Sequence, residues 1–272
     1  MNNPDNKALD FWIEHAIREI KDTYGDRVKV KPKSLLKFGA SDDIDQAKEL
    51  IWNQGGAETL QSANAQLYIS SSSTADTGIP IRSEHHQADG NGDWDFILNE
   101  TTLAGRTKTA LTPLSAESSQ AIRSSRAFNN TQAGTNLVGD VYIYENSTVS
   151  LGVPSDASKI HLKINATNQQ TAKAATSTSN RDYMLITNVY ASVAEKVSAT
   201  VDFYWEIKRK GNVFRPFFIK SGASTGSAVN FDFRPFVIVP PNSDIRVMGL
   251  SSANDTAVDA GFHGLFALRS KP

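Results

Sequence analysis

Gly222-Ala223-Ser224-Thr225-Gly226 spells G-x-S-x-G, the string that holds a nucleophilic serine on a strained strand-to-helix turn. Downstream, Val229, Phe231 and Phe233 alternate as a strand does, so no helix follows and the string reads as a Gly/Ser loop. Asp89, Asn91, Asp93, Asp95 and Glu100 fall at calcium-loop positions, but Trp94 stands where such a loop needs glycine for its sharp turn. A hairpin turn with acidic ends explains Gly90 and Gly92 as well, and no metal is expected there. Glu84, His85 and His86 lie just upstream; adjacent histidines on a strand point to opposite faces and cannot share one ion. His15, His161 and His263 are isolated in sequence. Phosphate-cradling strings are absent, and N-x-[ST] at Asn146 and Asn165 carries little weight without a secretory signal. These residues predict no catalytic centre and no cofactor.

The elements that would position such residues fall into three segments. Residues 1–33 read as a helical arm and a basic connector. Asn3 suits an N-cap, Pro4 the first helical position and Asp5 the positive end of the dipole. Leu9, Trp12, Ile13, Ala16, Ile17 and Ile20 recur at helical spacing, and Gly25 suits a left-handed stop. The stripe must bury against its own domain or a neighbouring subunit, because such a helix is marginal alone. Arg27, Lys29, Lys31, Pro32 and Lys33 read as extended chain, so loss of residues 1–33 is expected to leave a folded β protein that no longer assembles.

Residues 34–150 turn to short strands: Leu67–Ser70, a hairpin pivoting on Asp89–Gly92 and Val141–Tyr144, with one short helix expected over Asp42–Trp52. Residues 151–272 carry the clearest β signal. Val197, Ala199, Val201, Phe203, Trp205 and Ile207 alternate with polar neighbours, placing Asp202 and Tyr204 on the wetter face. Further strands are expected at Tyr183–Ala191, Val213–Lys220, Ala228–Val239, Asp244–Leu250 and Gly261–Leu268. The fold class is mainly β: two β-sandwich or jelly-roll-like domains with an N-terminal amphipathic helix. The echo Phe214-Arg215-Pro216-Phe217 and Phe233-Arg234-Pro235-Phe236 places both prolines at strand edges, starts or bulges, and offers Arg215 and Arg234 to a partner.

The 272 residues hold 28 Lys plus Arg, 29 Asp plus Glu and no Cys, which removes disulfides, thiolate nucleophiles and Cys-metal sites. A net charge of −1 argues against a whole-surface grip on nucleic acid or an acidic membrane. No apolar run is long enough to span a bilayer, and the polar start is unlike a signal peptide, so synthesis and assembly in a host cytoplasm are expected.

Leu36-Lys37-Phe38-Gly39, Ile51-Trp52-Asn53-Gln54-Gly55-Gly56 and Leu67-Tyr68-Ile69-Ser70-Ser71-Ser72 with Asp76 resemble strings in tailed-bacteriophage virion structural proteins. Asp89 to Gly105, Arg126-Ala127-Phe128, Gly139-Asp140-Val141-Tyr142-Ile143, Val239-Pro240-Pro241-Asn242-Ser243-Asp244-Ile245 and Ala260-Gly261-Phe262 continue the likeness. Ile79 to His86 is unusually polar for that group, and Gln169–Asn180 lacks the expected Pro-Gly turn. The resemblance implies a non-enzymatic, oligomeric virion component that decorates or cements the capsid by contact with itself and with major capsid or tail proteins. The alternative is a tail or neck component that binds host glycan through Trp94, Tyr142, Tyr144 and Tyr204. The candidate interface residues, taken from the helical stripe and the repeated string, are Leu9, Trp12, Ile13, Ile17, Ile20, Arg215 and Arg234.

If Asp89–Glu100 is a plain turn, a chelator leaves the thermal midpoint unmoved. A fall of several degrees on chelation, read by differential scanning fluorimetry, reverses that reading because a bound ion stabilises by mass action.

Overall fold

The computed structural model describes residues 4–56, 59–114, 120–131, 134–194 and 198–269; the expected cap at Asn3 and the expected strand residue Val197 lie outside them. Helix α1 (Pro4–Tyr24) ends where Gly25 turns left-handed (φ 71°) and returns its amide to the Lys21 carbonyl at 2.9 Å. Ala16 and Ile20 are buried, with Trp12, Ile13 and Tyr24 beside them, against Tyr183, Leu185, Phe236 and Ala267. Most of the stripe is thus covered within its own chain while Leu9 stays exposed, and each large buried side chain contributes up to about 1.5–3 kcal/mol.

The basic stretch after the helix is not a connector. Strand β1 (Val28–Ile44) begins there, because Val28 and Val30 turn under the helix while Lys29 faces out. The short helix expected over Asp42–Trp52 is also absent. β1 runs to Ile44, and β2 (Glu49–Leu50) follows a turn. Ile44 and Ile51 enter one apolar cluster while Leu50 and Trp52 enter another, a two-sided demand that an extended backbone meets and one helix face does not.

Eleven short strands then form a unit of their own: β3 (Ala65–Gln66), β4 (Tyr68–Ser71), β5 (Thr77–Ala88), β6 (Trp94–Ala104), β7 (Thr109–Ala110), β8 (Gln120–Ala121), β9 (Arg123–Asn129), β10 (Val141–Tyr144), β11 (Val149–Ser150), β12 (Val153–Pro154) and β13 (Ile160–Ile164). Its sheets β13-β10-β4-β7 and β6-β5-β9 enclose Leu67, Ile69, Ile81, Ile97, Leu103, Val141, Ile143 and Leu162. The chain continues through β14 (Ala175–Ser177), β15 (Asp182–Val193), β16 (Thr200–Arg209), β17 (Arg215–Ser224), β18 (Ala228–Val239), β19 (Ser243–Ser251) and β20 (Thr256–Arg269). Sheet β1-β20-β15-β18 faces sheet β14-β19-β16-β17 across a core that holds Met184, Ile186, Val189, Val201, Phe203, Trp205, Val247 and Phe262.

The molecule is therefore mainly β with one N-terminal helix, and the strand pairing crosses the expected seams at 33/34 and 150/151. β1 pairs with β20 and β2 with β19, so residues 28–50 join the C-terminal sheets. β13 pairs with β10, so residues 160–164 close the middle unit. Residues 67–164 are an insertion between the first and later strands of one sandwich.

Val201, Phe203 and Trp205 are fully buried, and Asp202 and Tyr204 lie on the wetter side. Glu206 is the exception on that side: it is buried between Lys48 and Arg246. Trp205 also donates its indole N–H to the Gly261 carbonyl at 2.9 Å. Gly261 admits no side chain, since a Cβ there would stand 2.0 Å from the Lys37 carbonyl oxygen and 2.4 Å from the Tyr190 hydroxyl.

Trp205→Ala should lower unfolding free energy by about 3–5 kcal/mol through lost transfer energy and a residual cavity. Tyr204→Ala should cost clearly less. Urea unfolding of both variants checks the order.

Candidate functional site

The two facing sheets end together on one side, β18 at the edge of one and β17 at the edge of the other. The opposite side is covered: there β1 and β14 meet the inserted unit, and the buried Lys37 ammonium donates to the Ser125 carbonyl. At the β17/β18 side an aromatic chain runs outward from the core. Trp205 meets Phe218 at 5.4 Å, Phe218 stacks on Phe231 at 4.8 Å, and Phe231 meets Phe233 at 5.0 Å. Phe231 and Ile219 stay 45% and 48% exposed. Both prolines of the echoed string sit beside register shifts on these edges, as their missing N–H requires. Between them the strands keep edge backbone that no other strand pairs among the described residues.

Of the expected interface residues, Leu9, Arg215 and Arg234 are exposed and Trp12, Ile13 and Ile17 half-buried, whereas Ile20 is fully buried and closed to any partner. Helix α1 packs on β18 through Phe236 and Ile238, with Leu9 and its neighbour Phe11 left exposed on the helix. Sequence reasoning missed Phe217, Phe218, Phe231 and Ile219 as a group. Their signal was aromatic residues crowded onto two strands already marked as edges by proline. Phe214 turns inward instead, with the Arg246 guanidinium 3.5 Å over its ring.

The strings that suggested chemistry disperse. Gly222–Gly226 passes from β17 to β18 with no helix after it. Asp89 accepts the Asn91 and Asp93 amides at 2.8 Å each, and Asp93 is held by Asn242 and Lys210. These carboxylates cap the turn and its contact with the sandwich. Trp94, Tyr142 and Tyr144 are buried, so they cannot act as stacking platforms for a glycan, and Tyr204 lies under the Lys48 ammonium at 4.1 Å. His161 bonds Glu145 at 3.0 Å and thereby holds that carboxyl below its usual range.

Charged groups concentrate at the seam between insertion and sandwich. Arg123 of β9 grips Asp244 of β19 with two nitrogens at 2.8 and 3.1 Å and donates to the Gln61 and Ile122 carbonyls. Both partners are buried, and Ser177 also donates to Asp244 at 2.8 Å. Lys173, 1% exposed, spans Ser124 and His161 carbonyls at 3.1 and 3.0 Å. His85 and His86 sit here on opposite faces of β5. His85 meets the Ser124 hydroxyl at 2.8 Å, and His86 lies edge-on to Phe96. Burial holds both imidazoles neutral, from the ordinary 6.5 down to about 3, with His161, His86 and Lys173 adding to the effect at His85 and Arg123 at His86.

No protein-family model matches the chain, and no curated protein matches it. Among solved structures, one of infectious bursal disease virus (Gt strain) aligns at a TM-score of 0.23 and 9% identity over 90% of this chain and 74% of that one. T=1 particles derived from infectious bursal virus align at 0.24 and 10%, over 93% and 75%. The CBM22 tandem domain of Xyn10C from Paenibacillus barcinonensis aligns at 0.20 and 10%, over 89% and 93%. At TM-scores this low the likenesses establish neither a shared fold nor a function.

The two histidines set a pH dependence. The folded chain leaves them neutral while the unfolded chain binds protons below about pH 6.5. Stability is therefore complete above that value and falls as pH drops toward about 3, by up to about 1.4 kcal/mol per unit for each histidine. Urea midpoints at pH 7, 6 and 5 should fall more steeply for the natural chain than for His86→Phe.

Proposed function

We propose that this chain is a non-enzymatic virion structural subunit that works by association with copies of itself and with other particle proteins. The observation that carries the reading is the β17/β18 side, where two long edge strands stand open with Phe231 and Ile219 exposed over half-buried Phe218 and Phe233. Such edges invite pairing with another chain unless something covers them. Pro216 and Pro235 interrupt the edge and favour a closed contact over an unlimited ladder. Helix α1 also leaves Leu9 and Phe11 exposed, and Arg215 on β17 and Arg234 on β18 are exposed charges. The near-neutral net charge suits many copies packed together.

The resemblance supports the finer reading, a decorating or cementing protein of a tailed-phage capsid, with a tail or neck position as the alternative. Its strings converge on framework positions rather than on a reactive centre. Buried Asp76 accepts from Ser71 and from the Val138 and Gly139 amides, while Phe38-Gly39 pairs with Ala260-Gly261. Such residues build a scaffold whose outer surface does the work.

Sedimentation velocity across the micromolar range tests the proposal. The natural chain should self-associate, and Ile219→Asp/Phe231→Asp should sediment as a monomer with a thermal midpoint within a few degrees of the parent. A natural chain that stays monomeric, or a double variant that associates equally well, overturns it.

A further inference from the structure

Independently of that edge, the inserted unit carries a positively charged concavity of about 790 Å³ beneath the β11/β12 hairpin. Arg106, Lys108 and Lys159 line it, with the hydroxyl-bearing Ser147, Thr148 and Ser155 and a single carboxylate, Asp156. Three cations to one anion is a local excess in a chain whose total charge is −1.

The cations are held in place by oxygens that do not cancel their charge. Lys108 donates to the Asn146 side-chain oxygen and to the Ser147 carbonyl at 3.0 Å, with its ammonium 4.2 Å over the Tyr68 ring. Lys159 donates to the Asn146 carbonyl at 3.0 Å, and Arg106 anchors its Nε on the Ser72 carbonyl at 2.9 Å. Asp156 offsets Lys159 only in part. One of its oxygens accepts the Ser158 amide and hydroxyl at 3.1 and 2.6 Å, and the other lies 3.8 Å from the ammonium. The long side chains have thus already lost much of the freedom that anion binding would otherwise remove.

We propose that this concavity binds an oxyanion, phosphate or carboxylate, borne on a hydroxyl-rich polymer. Charge selects the anion. The concavity is open to solvent rather than enclosed, so a chain can lie across it with its anionic group on the cations. Beside the cations the exposed Thr148 and Ser155, whose hydroxyls bond each other at 2.5 Å, offer further hydrogen-bonding groups to a polyol or sugar chain, and no aromatic platform is required.

Isothermal titration of the full chain tests the site with four probes: inorganic phosphate, a poly(glycerol phosphate), an oligogalacturonate and a neutral maltooligosaccharide. The anionic polymers should bind and the neutral one should not. Affinity should fall as salt rises, and Arg106→Gln and Lys159→Met should each weaken binding and lower the log–log salt slope by about one. Lys21→Met, on the exposed side of α1, should leave binding unchanged. Inorganic phosphate binding as tightly as the polymers on the same residues would keep the oxyanion site but overturn the polymer as its ligand. No binding by any anion, or variants that bind like the parent while melting at the same temperature, overturns the proposal.

Discussion

The antiparallel pairing of β1 with β20 is the constraint on which the other elements depend. It joins the first strand to the last, from Val28 opposite Arg269 to Ile44 opposite Thr256. Its outer face supplies Val28, Val30, Leu265 and Ala267 as a floor for helix α1. Its inner face supplies Ile44, Val258, Ala260 and Phe262 to the sandwich core. Asp26 reinforces the join just beyond the helix, accepting the Tyr183 hydroxyl at 2.6 Å and Arg269 Nε at 2.7 Å. Burial and that carboxylate push the Tyr183 phenol well above its usual range, so the hydroxyl remains a donor.

With β1 fixed, the inserted unit has one side of the sandwich to lie against, and it does so through polar contacts. A buried arginine–aspartate pair and buried lysines on carbonyls are costly to desolvate and strongly directional. They specify the orientation of the two units more sharply than apolar contact would. They also bear on the neutral imidazoles at this seam: burial disfavours the charged form first, and Lys173 near His85 and Arg123 near His86 disfavour it further.

Legibility in the sequence followed the chemistry of each element. The alternation at Val201–Trp205, the span Ala228–Val239, the glycine stop at Gly25 and the turn at Asp89–Gly92 were plain because each is governed by local periodicity or backbone conformation. β1 was not, because its lysines and Pro32 imitate a connector and its partner lies at the far end of the chain. The pairings that cross the expected seams were hidden for the same reason, since an insertion leaves no mark in composition. The exposed aromatic edge was half visible through the repeated Phe-Arg-Pro-Phe string. The convergence of Arg106, Lys108 and Lys159 was invisible, because it requires the β11/β12 hairpin to fold back until the Gly152 carbonyl accepts the Ser70 hydroxyl and Gly152 packs on the Ser71 backbone.

The insertion has a consequence for the order in which the molecule comes into being. The residues of its core, 67–164, are contiguous, so they can close together while the rest of the chain is still being made. β1 has no such option: its hydrogen-bonding partner begins only at Thr256. Until β20 has been made, the hydrogen-bonding edge of β1 has no native strand partner, and distant strands are slow to meet. Over that interval the apolar core of the inserted unit can close while β1 still lacks its partner. Chaperone capture, or premature exchange of that strand between neighbouring nascent chains, would act within this interval.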